Sequence, residues 1–101
     1  MSAVHIELRE LGRCFFHEDY RLEFSSADEA VLSFAHDQGR EAVEGLIVEL
    51  NDLLASSATE DQLRELWITD VYANYDPRDD GLTYREWFAH VRDLLTQAKA
   101  D

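Results

Sequence analysis

From Asp76 to Trp87 the chain reads DPRDDGLTYREW, a twelve-position frame in which a carboxylate-lined calcium loop would be written. Asp76, Asp80 and Gly81 stand at the first, fifth and sixth positions, where oxygen ligands and a tight glycine turn are wanted. Arg78 takes the third position, and a guanidinium donates hydrogen bonds and repels a cation. Trp87 takes the twelfth, where a bidentate Glu should close the coordination sphere. Glu86 comes one residue early, and one residue along a helix turns a side chain through about 100°. The pattern predicts a turn that enters a helix, without a metal site.

The other reactive side chains do not assemble into a catalytic motif. His5, His17, His36 and His90 contain no i, i+4 pair, and His17-Glu18 is followed by Arg21 where a His-Glu-x-x-His zinc motif needs its second His. His36 falls near an expected helix C-terminus, where a cationic ring is favourable, and His90 falls on an exposed helix face. His17, between Phe15-Phe16 and Asp19-Tyr20, reads as a partly buried imidazole that donates to a carbonyl or to Asp19 and fixes the turn after the first helix. Cys14 is the sole cysteine, so it has no disulfide or zinc partner within the chain; it suits a reducing compartment and reads as a core thiol. Glycine-rich phosphate loops, nucleophile elbows and paired cysteines are missing from the sequence. The expectation is a protein without catalytic residues, metal or cofactor, and not an enzyme.

Charge narrows the partner. Twenty-two Asp and Glu against nine Lys and Arg give a net charge of −13, which repels nucleic acid and anionic membrane and favours a basic protein partner. The apolar runs are far below the about 18 residues that span a bilayer. The start, MSAVHIELRE, has no basic segment followed by an apolar stretch, so no secretory signal is read and a cytoplasmic location is expected. At 101 residues the chain reads as one domain, 1–101.

Three capping patterns organise that domain: Ser26 with Glu29, Thr59 with Gln62, and Thr83 with Glu86. Behind the first, Ala27, Ala30, Val31, Phe34 and Ala35 keep helical spacing as far as Gly39. Beyond Gly39, Val43, Leu46, Ile47, Leu50 and Leu54 form the cleanest amphipathic stripe, with Glu41 and Asp52 on its far face. Leu63, Leu66 and Trp67 make a shorter stripe. Trp87, Phe88, Val91, Leu94, Leu95 and Ala98 define a last helix from about Tyr84 to Ala98, with Trp87 and Phe88 in the core. In the first quarter, Ile6, Leu8 and Leu11 suit a short helix, and the alternation Tyr20, Leu22, Phe24 suits an extended stretch. The fold expected is all-α, a small single-domain bundle of four to five helices with an irregular, aromatic-rich N-terminal segment. Tyr75 and Tyr84 bracket the acidic turn, and with hydroxyls facing solvent they would edge a contact patch for a basic partner.

Taken together, FFHEDYRLEF and YDPRDDGLTYREWFAHVRDLL resemble the immunity proteins of bacterial contact-dependent growth inhibition systems. Phe15, Phe16, His17 and Asp19 match an early aromatic-Phe-His-Gln-Asp-Trp segment, with Glu18 in place of Gln and Tyr20 in place of Trp. Tyr75, Pro77, Gly81, Glu86 and Trp87 match a Pro- and Gly-containing acidic turn that leads into a Glu-Trp-Leu helix start, with Phe88 in place of Leu. The resemblance implies a cytosolic protein that binds and blocks the toxic C-terminal domain of a cognate surface effector; family toxins are commonly nucleases. It implies structural roles for Phe15, Phe16, His17, Asp19, Tyr20, Pro77, Gly81, Glu86 and Trp87. Asp76, Asp79, Asp80, Glu41 and Asp52, with Tyr75 and Tyr84, are the first candidates for toxin contact. The competing readings are an acidic adaptor or nucleic-acid mimic that binds another basic protein, and a small metal-binding regulator that uses the acidic turn.

Overall fold

The computed structural model describes residues 5–100; the first four residues, on which part of the missing-signal reading falls, lie outside it. Helix α1 (Ile6–Glu10) widens into a π-helical turn at Leu11–Phe15, and a single turn, α2 (Tyr20–Glu23), follows. Helices α3 (Ala27–Gln38) and α4 (Arg40–Ala55) are joined through Gly39 alone. Helix α5 (Glu60–Arg64) widens into a second π-helical turn at Glu65–Asp70, and a 3-10 turn at Pro77–Asp80 leads to α6 (Tyr84–Ala100). The described residues contain no strand, so the all-α expectation holds. None of their helices is long and apolar enough to cross a membrane.

Local chemistry explains the long helices. Thr59 Oγ1 accepts from Gln62 N–H at 3.2 Å while the Gln62 side chain accepts from Thr59 N–H at 2.9 Å, a closed capping box. Thr83 and Glu86 repeat it at 3.0 and 2.9 Å. At Ser26 only half of the box forms: its Oγ accepts from Glu29 N–H at 3.1 Å, but the Glu29 carboxylate takes the hydroxyl of Ser25 instead.

Helices α3, α4 and α6 form the body, with Val31, Phe34, Leu46, Leu50, Phe88 and Leu95 fully buried between them. The bond from Arg85 Nη1 to Leu54 O (2.8 Å) and the Lys99–Glu44 pair (3.8 Å) set α4 antiparallel to α6. His90 and Asp28, 2.8 Å apart, tie α6 to the start of α3, so His90 is half-buried rather than on a free face. Helix α1 crosses α4, where the Glu49 carboxylate accepts from Glu7 N–H at 3.0 Å and Leu8 N–H at 3.1 Å. It thereby satisfies the exposed donors of a helix that has no cap of its own.

The first quarter corrects three expectations. Tyr20 and Leu22 are not extended, and only Phe24, at the end of the turn, keeps extended backbone: Leu22 N–H donates to Asp19 O at 2.9 Å and Phe24 N–H to Tyr20 O at 2.8 Å, closing one helical turn. A helical turn sends Tyr20 inward and Leu22 outward, so Tyr20 is buried and Leu22 is 86% exposed. Cys14 is exposed, on the outer side of the π-helical turn. Partial burial, and then the neighbouring Glu10 charge, push its thiol above the ordinary range, which favours the protonated form. His17 does fix the turn, but as an acceptor: Nδ1 takes the Asp19 N–H at 3.1 Å, and Nε2 lies 3.2 Å from Glu23.

The two π-helical turns meet each other. A Cβ on Gly12 would lie 1.9 Å from Val71 Cγ1, so only glycine lets the second turn approach the first. Asn74 N–H then donates to Phe16 O at 2.7 Å across the same junction, and between them Tyr72 adopts a left-handed conformation at φ 62°.

Candidate functional site

Beyond Val71 the chain must pass the aromatic core before it can start α6, and Trp67 receives it: the indole Nε1–H donates to Tyr75 O at 2.7 Å. The Tyr75 ring then lies 4.8 Å from Trp87 and 5.6 Å from Phe16, and Phe16 lies 5.2 Å from Tyr20, 5.3 Å from Trp67 and 5.7 Å from Trp87. Most of these pairs are tilted or edge-to-face, the arrangements that aromatic quadrupoles favour by roughly 0.5–1.5 kcal/mol beyond burial. Two stretches far apart in sequence, Phe15–Tyr20 and Tyr75–Trp87, therefore close on one another as a single wall.

Above this wall sits the acidic turn. Asp76 caps it, accepting from Arg78 N–H at 3.0 Å, from the Arg78 guanidinium at 2.8 Å and from the Tyr84 hydroxyl at 3.1 Å. Pro77 begins the turn with a buried ring, and Gly81, at φ 80°, ends it in the left-handed region that a side chain would strain. The Arg78 side chain is the main cause holding the Asp76 carboxyl down at about 2. The residue that breaks the calcium pattern in sequence thus also consumes the first would-be ligand. No group of three or more His, Cys, Asp or Glu gathers as a metal site among the described residues.

The tyrosines sit differently from expectation. Tyr75 and Tyr84 are 4% and 2% exposed, so their rings belong to the core and their hydroxyls are spent on the turn. Tyr75 Oη donates to Asp80 Oδ2 at 2.6 Å; burial, and then that bond, raise the Tyr75 phenol far above its usual range. Packing on Trp87 draws the Tyr75 ring inward, a tertiary effect with no local signature.

The candidate acids do not form one patch. Asp79 and Asp80 are exposed on the turn, whereas Asp76 is half-buried and committed to Arg78. Glu41 and Asp52 are exposed at opposite ends of α4. The antiparallel packing puts Glu41 at the pole where Lys99 lies and Asp52 at the pole of the turn. Glu60, which sequence reasoning passed over, holds the entrance of α6 from another helix: its carboxylate accepts from Tyr84 N–H at 2.8 Å and Arg85 N–H at 3.0 Å.

Beside the turn, the α2–α3 corner leaves an open cleft of about 330 Å³ lined by Tyr20, Arg21, Phe24, Ser26, Tyr75 and Asp80 among others. The Arg21 guanidinium lies 5.7 Å from the centre of the Tyr20 ring. This arrangement offers shape, aromatic surface and negative charge, the means of binding a protein.

Comparison with known proteins bears on what is bound. The family described as CdiI immunity protein matches residues 5–95. A solved chain from the crystal structure of a CdiA-CT/CdiI complex of Y. kristensenii 33638 is similar with a TM-score of 0.83 at 25% identity, covering 88% of this chain and 95% of that one. No curated protein matches the sequence.

Proposed function

We propose, from the premise that this chain belongs to the CdiI immunity protein family, that it binds the toxic C-terminal domain of a cognate contact-dependent growth inhibition effector and neutralises it. The observation that carries this reading is the likeness, over nearly the full length of both chains, to a chain of a CdiA-CT/CdiI complex. Inhibition is by occupancy, in stoichiometric amounts, without a catalytic step by this chain. The place of action is the cytoplasm. The net charge of −13 supports a basic toxin domain, as a nuclease must be to hold phosphate.

Complementary charge acts mainly on the rate of encounter, while buried apolar contact sets the lifetime of the complex. Co-expression tests the reading. The toxin domain encoded directly upstream should arrest cells alone, spare them when this chain is present, and co-purify with it. Equal killing with and without this chain, and no complex surviving purification, would refute it.

A further inference from the structure

The geometry points to the α2–α3 corner as the centre of the toxin contact: the cleft there takes a Lys or Arg side chain of the toxin domain, its cation on Asp80, while Leu22 packs beside it as the apolar anchor. The inference rests on the immunity reading and adds the location and the chemistry of the contact.

Three observations carry it. Leu22 is 86% exposed, ahead of Tyr72 at 65% and Val48 at 58%, and it stands on a single helical turn whose Tyr20 already supplies the inward anchor. The fold does not use Leu22, and one exposed Leu is ordinary on its own; its chain neighbours Arg21 and Phe24 line a concave site, which gives it meaning. The cleft, about 330 Å³ with Tyr20, Phe24 and Tyr75 in its walls, has room for the stem of a long basic side chain. At its rim Tyr75 holds Asp80 by Oδ2 at 2.6 Å, leaving Oδ1 without a partner among the described residues and aimed by a bond that the core maintains.

Charge decides which occupant fits. Asp79 stands next to Asp80 on the turn, and Glu29 lies in the first turn of α3, where Asp28 is engaged by His90 at 2.8 Å. Of the two nearby cations, Arg78 is neutralised by Asp76 at 2.8 Å, and Arg21 lies over the Tyr20 ring. The remaining field is negative, and it favours a cation held against an aromatic wall. Aromatic and Arg anchors in desolvated pockets are the contacts that dominate interface energies, which favours a basic side chain in the cleft over Leu22 as the main source of affinity.

The test is binding kinetics of the full chain against the toxin domain encoded directly upstream, with thermal melts of every variant. Leu22→Asp should melt like the parent and dissociate on the order of tenfold faster or more. Asp80→Asn keeps an acceptor for Tyr75 but loses the charge, and should associate more slowly and dissociate faster. Arg21→Ala should bind at least as well as the parent, and Val48→Asp, on the remote outer face of α4, should bind like it. If the parent binds and both Leu22→Asp and Asp80→Asn match it, the location is wrong although the immunity reading stands. Weakening by Arg21→Ala but not by Asp80→Asn would mean an acidic occupant and overturn the proposal. If the parent itself forms no complex, the immunity reading fails and the proposal with it.

Discussion

The aromatic wall and the acidic turn above it lie back to back, yet they are built on different rules. In the wall, Phe16, Tyr20, Trp67, Tyr75 and Trp87 are all buried, and each ring constrains the next. On the turn, Asp79 faces outward and a change there meets solvent, while Asp80 spends one oxygen on the Tyr75 hydroxyl and turns the other outward. The contrast separates rings whose loss would disturb the fold from surface acids that can change with little effect on it. Immunity pairs need that freedom, because specificity is a difference of affinities between right and wrong partners.

The largest effect should come from breaking the wall. Trp87→Ala removes a fully buried indole that touches Phe16, Trp67 and Tyr75, and should cost about 3–5 kcal/mol, a large share of the stability of a domain this size. Chemical denaturation would measure it. The indole Nε1–H of Trp87 has no hydrogen-bond partner among the described residues, so Trp87→Phe should recover most of the loss. A Trp87→Ala protein that melts like the parent would erase the distinction between wall and surface.

Next in size, Gly12→Ala drives a methyl into Val71 at the meeting of the two π-helical turns and should cost about 1–3 kcal/mol, since overpacking forces backbone shifts. The same melts would read it, and the change should leave the turn's acids available to a partner.

Legibility followed the same divide. Helices α3, α4 and α6 and the boxes at Thr59 and Thr83 rest on contacts three or four residues apart, so spacing revealed them. The single turn α2 was hidden because Tyr20, Leu22 and Phe24 alternate as a strand would, and only the His17–Asp19 turn decides otherwise. Glu49 and Glu60 cap helices 42 and 24 positions away, a distance at which no sequence pattern signals a cap. Cys14 and the two tyrosine hydroxyls were misplaced for a related reason. Which side of a π-helical turn faces out, and whether a ring slides under a tryptophan, depend on packing partners distant in sequence.

A smaller effect separates the closed acid of the turn from its open ones. The folded state holds Asp76 at about 2 against an ordinary 3.8, so its bonds to Arg78 and Tyr84 stabilise the fold fully above about pH 4. That contribution should fade as the pH falls through about 2, because protonation then removes the acceptor. Asp76→Asn should flatten the acid limb of a melting-temperature profile over this window.

The smallest effect on stability, and the largest on encounter, belongs to the open pair. Reversing Asp79 to Lys should barely move the melting temperature, whereas Asp80, which holds the Tyr75 hydroxyl, is changed only to Asn; both changes should slow association with a basic toxin domain, most strongly at low salt. Unchanged association would move the contact away from the turn.

The most direct measurement is titration of the toxin domain's activity with the native chain under fixed conditions. Tight stoichiometric neutralisation predicts activity that falls linearly and vanishes near the equivalence point, with the salt dependence confined to the speed of onset. Activity that persists at a large molar excess of this chain would contradict the account.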